Sequence, residues 1–148
     1  MSPATAVAPR LEVRRICKSF PGVRALHNVS LQVFPGEVLS VVGENGAGKS
    51  TLMNVLAGLY KQAAGVIKVH GRPVSFNSPK DAIAHGVGMI HQHFMLVPTQ
   101  TVTENILLGL DEPRFIMNLP HYDQKVRELQ AQFGLQVDPT AKIWQLSV

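Results

Sequence analysis

The chain has 148 residues, of which 45% are hydrophobic and 16% charged, which fits one ordinary globular domain able to bury a core. Its formal charge of +4 comes from scattered basic residues, with Arg14-Arg15 the longest run. This argues for a solvated, mildly basic surface and against a nucleic-acid partner. The single cysteine, Cys17, excludes a disulfide within the chain and fits a reducing compartment. It reads as a small buried or half-buried side chain, and no apolar stretch is long enough to span a membrane.

Residues 1–10 are rich in Ala, Pro and Thr and lack the basic start and long apolar stretch of a signal peptide, so a loose tail is expected. Leu11 to Ile16 is a predicted strand. Val29, Leu31 and Val33 alternate with Ser30, Gln32 and Phe34, the period of a half-buried strand. The closeness of these strands in sequence favours antiparallel pairing. Pro35-Gly36 is a turn, and the β-branched run Val38 to Val42 reads as a buried strand.

Gly43-Glu44-Asn45-Gly46-Ala47-Gly48-Lys49-Ser50-Thr51 then follows the pattern G-x-x-x-x-G-K-[ST], the phosphate-binding P-loop. Average residue usage produces this string in roughly one chain in a hundred of this length. Context sharpens it, because a strand precedes the loop and helical spacing follows. The glycines let successive N–H groups turn toward phosphate oxygens. Lys49 reaches the β- and γ-phosphates, and the Ser50 hydroxyl suits Mg²⁺. Asn45, like Glu44, shapes the loop. Leu52, Val55, Leu56 and Leu59 predict a helix over 51–59 whose N-terminus faces the phosphates.

Gly65 to Gly71 is a further predicted strand, closed by Gly71-Arg72-Pro73. Ser78, Pro79 and Asp81 mark a helix start, and Gly86 ends that helix. Val87 to His91 is then a strand, so strand–helix–strand alternation indicates a parallel part of the sheet. Thr101 with Glu104 opens a helix through Leu108. Pro113 and Pro120 bracket a loop. Asp123 to Phe133 carries Val126, Leu129 and Phe133 on one face, and Gly134 stops it. Asp123, Glu128 and Asp138 read as solvated, Trp144 as either core or interface. His91 and His93 share a strand face but lack companion ligands for a metal.

The residues around the P-loop resemble a particular family. Gly43 to Leu52 is similar to the Walker A motif of ATP-binding-cassette (ABC) transporter ATPases, and Lys18 to Leu26 resembles their adenine-stacking segment. Gly88 to Phe94 resembles their Q-loop, Thr101 to Ile106 the start of their helical subdomain, and Leu146-Ser147-Val148 the opening of their signature motif. Within the family, His91 to Val97 with Thr103-Glu104-Asn105 looks most like the ATPases of simple-sugar and nucleoside importers. A P-loop kinase acting on a small molecule is the alternative, disfavoured by this ordered set of segments.

The resemblance implies an α/β P-loop NTPase cassette with a mixed or parallel sheet, an N-terminal antiparallel part and the start of a helical subdomain. The ATP-binding core is expected over 11–94 and the helical part over 95–148, truncated within the signature. ATP and Mg²⁺ are the implied cofactors. Phe20 would stack on adenine, with a core side chain as its competing role. Gly43, Asn45, Gly46, Ala47, Gly48, Lys49, Ser50 and Thr51 would hold the phosphates. Gln92 would reach Mg²⁺ or its water, unless it is a strand-end amide bonded to backbone. Lys49 and Gln92 are thus the implied catalytic residues, and Ser50 and Gln92 the metal ligands. The implied partners are transporter membrane subunits, a second cassette and, indirectly, a substrate-binding protein, at the cytoplasmic face of the membrane. The resemblance also implies an N-terminal piece of a longer ATPase subunit, separated from the carboxylates that complete hydrolysis.

Overall fold

A computed structural model describes residues 7–92, 95–109 and 118–146. They divide into two compact units, the first ending at Ile90 and the second beginning at His91.

The first unit is built on a four-stranded antiparallel sheet in the order β2-β1-β3-β4. Strands β1 (Leu11–Phe20) and β2 (Val23–Val33) form a hairpin closed by the pair Phe20 and Val23. Both strands are longer than the alternation predicts, because the register shifts repeatedly along the hairpin. Arg15 and Asn28 take positive φ within it. Half-buried Cys17 sits there, its Sγ accepting from the Asn28 amide at 3.3 Å.

Strand β3 (Ala64–Val69) pairs with the other edge of β1, and β4 (Arg72–Val74) pairs with β3. The β1 bulge fixes one residue of β3. Gly65 has φ 98°, and a Cβ there would lie 2.5 Å from the Arg15 carbonyl oxygen and 2.7 Å from that of Arg14. Only glycine tolerates both the left-handed backbone and that approach.

One sheet face is apolar. Helices α1 (Lys49–Leu56) and α2 (Pro79–Ala84) cover it. Ile16, Ile67 and Val13 join Val55, Leu52 and Phe76 in the core, nearly all of them without exposed surface. α1 starts two residues earlier than expected and stops at Leu56, so Leu59 is exposed instead of completing the apolar stripe. α2 follows its sequence signals. The Ser78 hydroxyl accepts from the Asp81 amide, with Pro79 in the first turn.

The opposite face carries a charged knot. Glu12 lies across from Gln32 on one side and Lys68 on the other. Its carboxylate accepts from Gln32 Nε2 at 2.9 Å and Arg14 Nε at 2.6 Å, with Lys68 Nζ at 3.3 Å. Glu12 is 5% exposed. Hydrogen bonds from Gln32, then Arg14 and Lys68, lower its pKa from 4.5 to about 2.

Two predicted strands are absent. Val38–Val42 and Val87–His91 are not paired into any sheet among the described residues. Parallel strands are held by hydrogen-bonded neighbours and covered on both faces. No such neighbour lies among the described residues, and Val38, Val42 and Ile90 are each more than 90% exposed.

In the second unit, α3 (Val102–Leu107) opens with the expected capping box, with reciprocal Thr101 and Glu104 hydrogen bonds. α4 (Leu119–Phe133) starts ahead of Asp123, with Pro120 in its first turn. A proline there sacrifices no helical hydrogen bond. Pro113 lies outside the described residues. Asp123 is not a solvated acid, because it accepts from the buried Thr103 hydroxyl at 2.5 Å and ties α4 to α3. Asp138 likewise accepts from Thr140 and lies 3.9 Å from Arg127, whereas Glu128 is exposed as expected. Only Val126 of the expected α4 face is buried, and Trp144 is exposed.

Two outcomes test this packing. Gly65→Ala should destabilise by more than the roughly 1–2 kcal/mol of a left-handed alanine, whereas Gly71→Ala, with φ 75° and open space around it, should cost only that amount. Chemical denaturation of both variants reads the difference, and equal losses would contradict the bulge contact. The second outcome concerns Glu12. A carboxylate with a depressed pKa contributes stability that is present above pH 4.5 and disappears as pH falls through about 2. Thermal unfolding between those limits should therefore fall more steeply for the native chain than for Glu12→Gln.

Candidate functional site

The site is built where the sheet meets α1. β2 runs past the start of the helix, and the segment 34–48 returns the chain to it. Gly48 is the N-cap residue, with φ 89° and ψ 3°. A Cβ at Gly48 would lie 2.4 Å from the Ala25 carbonyl oxygen and 3.0 Å from Leu26 Cδ2. The loop's last glycine is thereby pressed against β2, which sets where α1 begins.

Upstream, the Ala47 amide donates to the Glu44 carbonyl at 3.2 Å, a tight turn within the loop. Lys49 folds back over this turn. Its Nζ donates to the carbonyls of Gly43 at 2.6 Å and Glu44 at 2.7 Å. The ammonium is therefore held against the loop while the side chain stays half-buried.

The charge around the helix start favours an anion. No side chain caps α1, and its first turn holds no acidic residue. The free N–H groups of that turn and the helix dipole put partial positive charge beside Lys49. Ser50 is exposed in the same turn, and Thr51 is half-buried. Exposed Asn45 and Gly46 form the turn, while Gly43 lies where a Cβ would meet Ala47 Cβ at 3.3 Å.

These residues fit phosphate through donors alone. Ser50 adds a neutral oxygen of the kind Mg²⁺ accepts. Among the described residues no group of three His, Cys, Asp or Glu side chains could hold a metal ion.

Phe20 ends β1 and is 37% exposed, so it is not a core residue. Its position is tied to the loop through β2, because Lys18 pairs with Leu26, the residue against Gly48. The sequence does not single out Tyr60. Its ring meets Phe20 edge to face, with centroids 5.4 Å apart. The only sequence signal is an aromatic residue just past the P-loop helix, and its partner is forty residues away.

Gln92 belongs to the second unit, where it is exposed. His93, Phe94, Ser147 and Val148, which carry parts of the Q-loop and signature resemblances, lie outside the described residues. Thr101 to Ile106, the other segment of the resemblance in this unit, contains α3 and its capping box.

Known proteins are similar to this chain in sequence and in fold. The guanosine import ATP-binding protein NupO of Bacillus subtilis strain 168 is 49% identical over 139 residues, covering 93% of this chain and 27% of that protein. The ribose import ATP-binding protein RbsA 1 of Rubrobacter xylanophilus is 45% identical, over 95% of this chain and 28% of that protein. The chain thus spans little more than a quarter of the length of these relatives. A solved ATP-binding cassette of an ABC transporter is similar in fold, with a TM-score of 0.78 and 27% identity over 94% of this chain and 59% of that one. The ABC transporter family matches residues 26–148, from the strand beneath Gly48 to the last residue, and the chain belongs to that family, with the fold of its ATP-binding cassettes.

Proposed function

We propose that this chain binds Mg-ATP through the loop 43–51, as part of the ATPase subunit of an importer for nucleosides or simple sugars. One observation carries the reading, namely Gly48 seated on β2 with Lys49 folded over the preceding turn. The cargo class is supported by the relatives, whose names specify guanosine or ribose import and of which this chain covers little more than a quarter.

The residues divide the work by chemistry. The uncapped first turn of α1 and the backbone of 46–48 supply N–H donors to phosphate oxygens. Lys49 exchanges its two carbonyl partners for phosphate, a stronger charge-assisted pairing. Ser50 offers its hydroxyl to Mg²⁺, which when bound neutralises charge on the phosphates. Phe20 offers an exposed ring to the base, an interaction with little hydrogen-bond specificity. Gln92, an amide that can shift without changing charge, would sense the metal side and pass the change to membrane subunits.

Hydrolysis also needs a group that orients the attacking water. Within Gly43 to Thr51 the one acidic side chain is that of Glu44, which is exposed. Turnover is assigned, within this proposal, to a larger assembly with a second cassette and membrane subunits, at the cytoplasmic face. Consistent with a peripheral role, no helix among the described residues is long and apolar enough to cross a membrane.

Calorimetric titration tests the reading. The 148-residue chain should bind Mg-ATP with negligible phosphate release, and Lys49→Ala should weaken binding by at least about tenfold. Equal affinity of the two proteins would overturn the assignment of the loop. Robust turnover by the chain alone, abolished by Lys49→Ala, would overturn the division of labour.

A further inference from the structure

The segment that leaves α1 comes back to the end of β1. The Phe20 and Tyr60 ring planes are inclined by 76° with their centroids 5.4 Å apart. Lys18 Nζ lies over both rings, 5.3 Å from the Phe20 centroid and 5.8 Å from that of Tyr60. The same ammonium donates to the Lys61 carbonyl at 2.8 Å. One cation thus joins the aromatic pair to the backbone just past the P-loop helix. Both rings keep more than a third of their surface exposed.

This arrangement constrains Phe20. An exposed phenyl ring at a strand end ordinarily samples several rotamers. Here an edge-to-face partner and a cation both act on it, and rotation about its first side-chain torsion would break the two contacts together. The constraint comes from Tyr60, which follows α1, and from Lys18, whose cross-strand neighbour Leu26 lies against Gly48. Both ends of α1 are therefore linked to the hairpin that carries Phe20.

We propose that Tyr60 and Lys18 are positioning residues for the nucleobase, which hold the Phe20 ring in the orientation that a purine stacks on. The inference rests on the assignment of Phe20 as the base-stacking residue. Pre-orienting a ring removes the ordering cost that binding would otherwise carry. Losing either residue should weaken the hold on the base and leave the hold on the phosphates intact.

The test titrates Mg-ATP and Mg-tripolyphosphate into the full chain and its variants, with thermal unfolding of each as a check on folding. Tyr60→Leu and Lys18→Met should each raise the ATP dissociation constant about threefold to tenfold. Tripolyphosphate affinity should not change. Tyr60→Phe should bind ATP like the native chain, because the ring contact uses no hydroxyl. Phe20→Ala separates the two readings. If Phe20→Ala binds ATP normally, the base-stacking assignment fails and this inference fails with it. If Phe20→Ala weakens ATP while Tyr60→Leu and Lys18→Met do not, only the positioning role is overturned. Equal losses of ATP and tripolyphosphate in Tyr60→Leu, or a Tyr60→Phe no better than Tyr60→Leu, would also overturn it.

Discussion

The contact between Gly48 and the Ala25 carbonyl is the constraint on which the site depends. A left-handed residue without a Cβ lets the chain turn from loop to helix while touching β2. Its consequences follow in order. α1 begins at the next residue, so its free N–H groups and Lys49 emerge at the same point. Lys49 can then reach the Gly43 and Glu44 carbonyls. The hydrophobic side of α1 lands on the sheet through Leu52 and Val55, so loop geometry and core packing share one element.

The hairpin β1–β2 serves three purposes at once. Its inner face supplies Val13, Ile16 and Leu26 to the core. Its outer face gathers Gln32, Arg14 and Lys68 around Glu12, a knot that reports on the pairing of three strands. Its far end displays Phe20. Irregularity makes this possible, because the bulge at Arg15, matched by Gly65 on β3, lets a long strand bend without losing its partners. Phe20 and the seat of Gly48 are thereby carried on the same hairpin.

Local chemistry was legible in the sequence wherever neighbours in the chain decide it. The Ser78 cap and the Thr101–Glu104 capping box involve residues a few positions apart, and both take the expected form. Long-range pairing was not legible. Val38 to Val42 has the composition of a buried strand, yet composition names no partner, and none lies among the described residues. The apolar spacing of Leu129 and Phe133 similarly says which face could be buried and nothing about what covers it. Asp123 escaped because its partner, Thr103, is on another helix, and Tyr60 because Phe20 is on a distant strand.

The seating of Gly48 is tested most directly by Gly48→Ala in the full chain, followed by Mg-ATP titration and thermal unfolding. A methyl group at 2.4 Å from the Ala25 carbonyl must push the loop off β2. Gly48→Ala should lower the melting temperature and abolish binding at ATP concentrations that saturate the native chain. A Gly48→Ala protein that melts and binds like the native chain would contradict that seating.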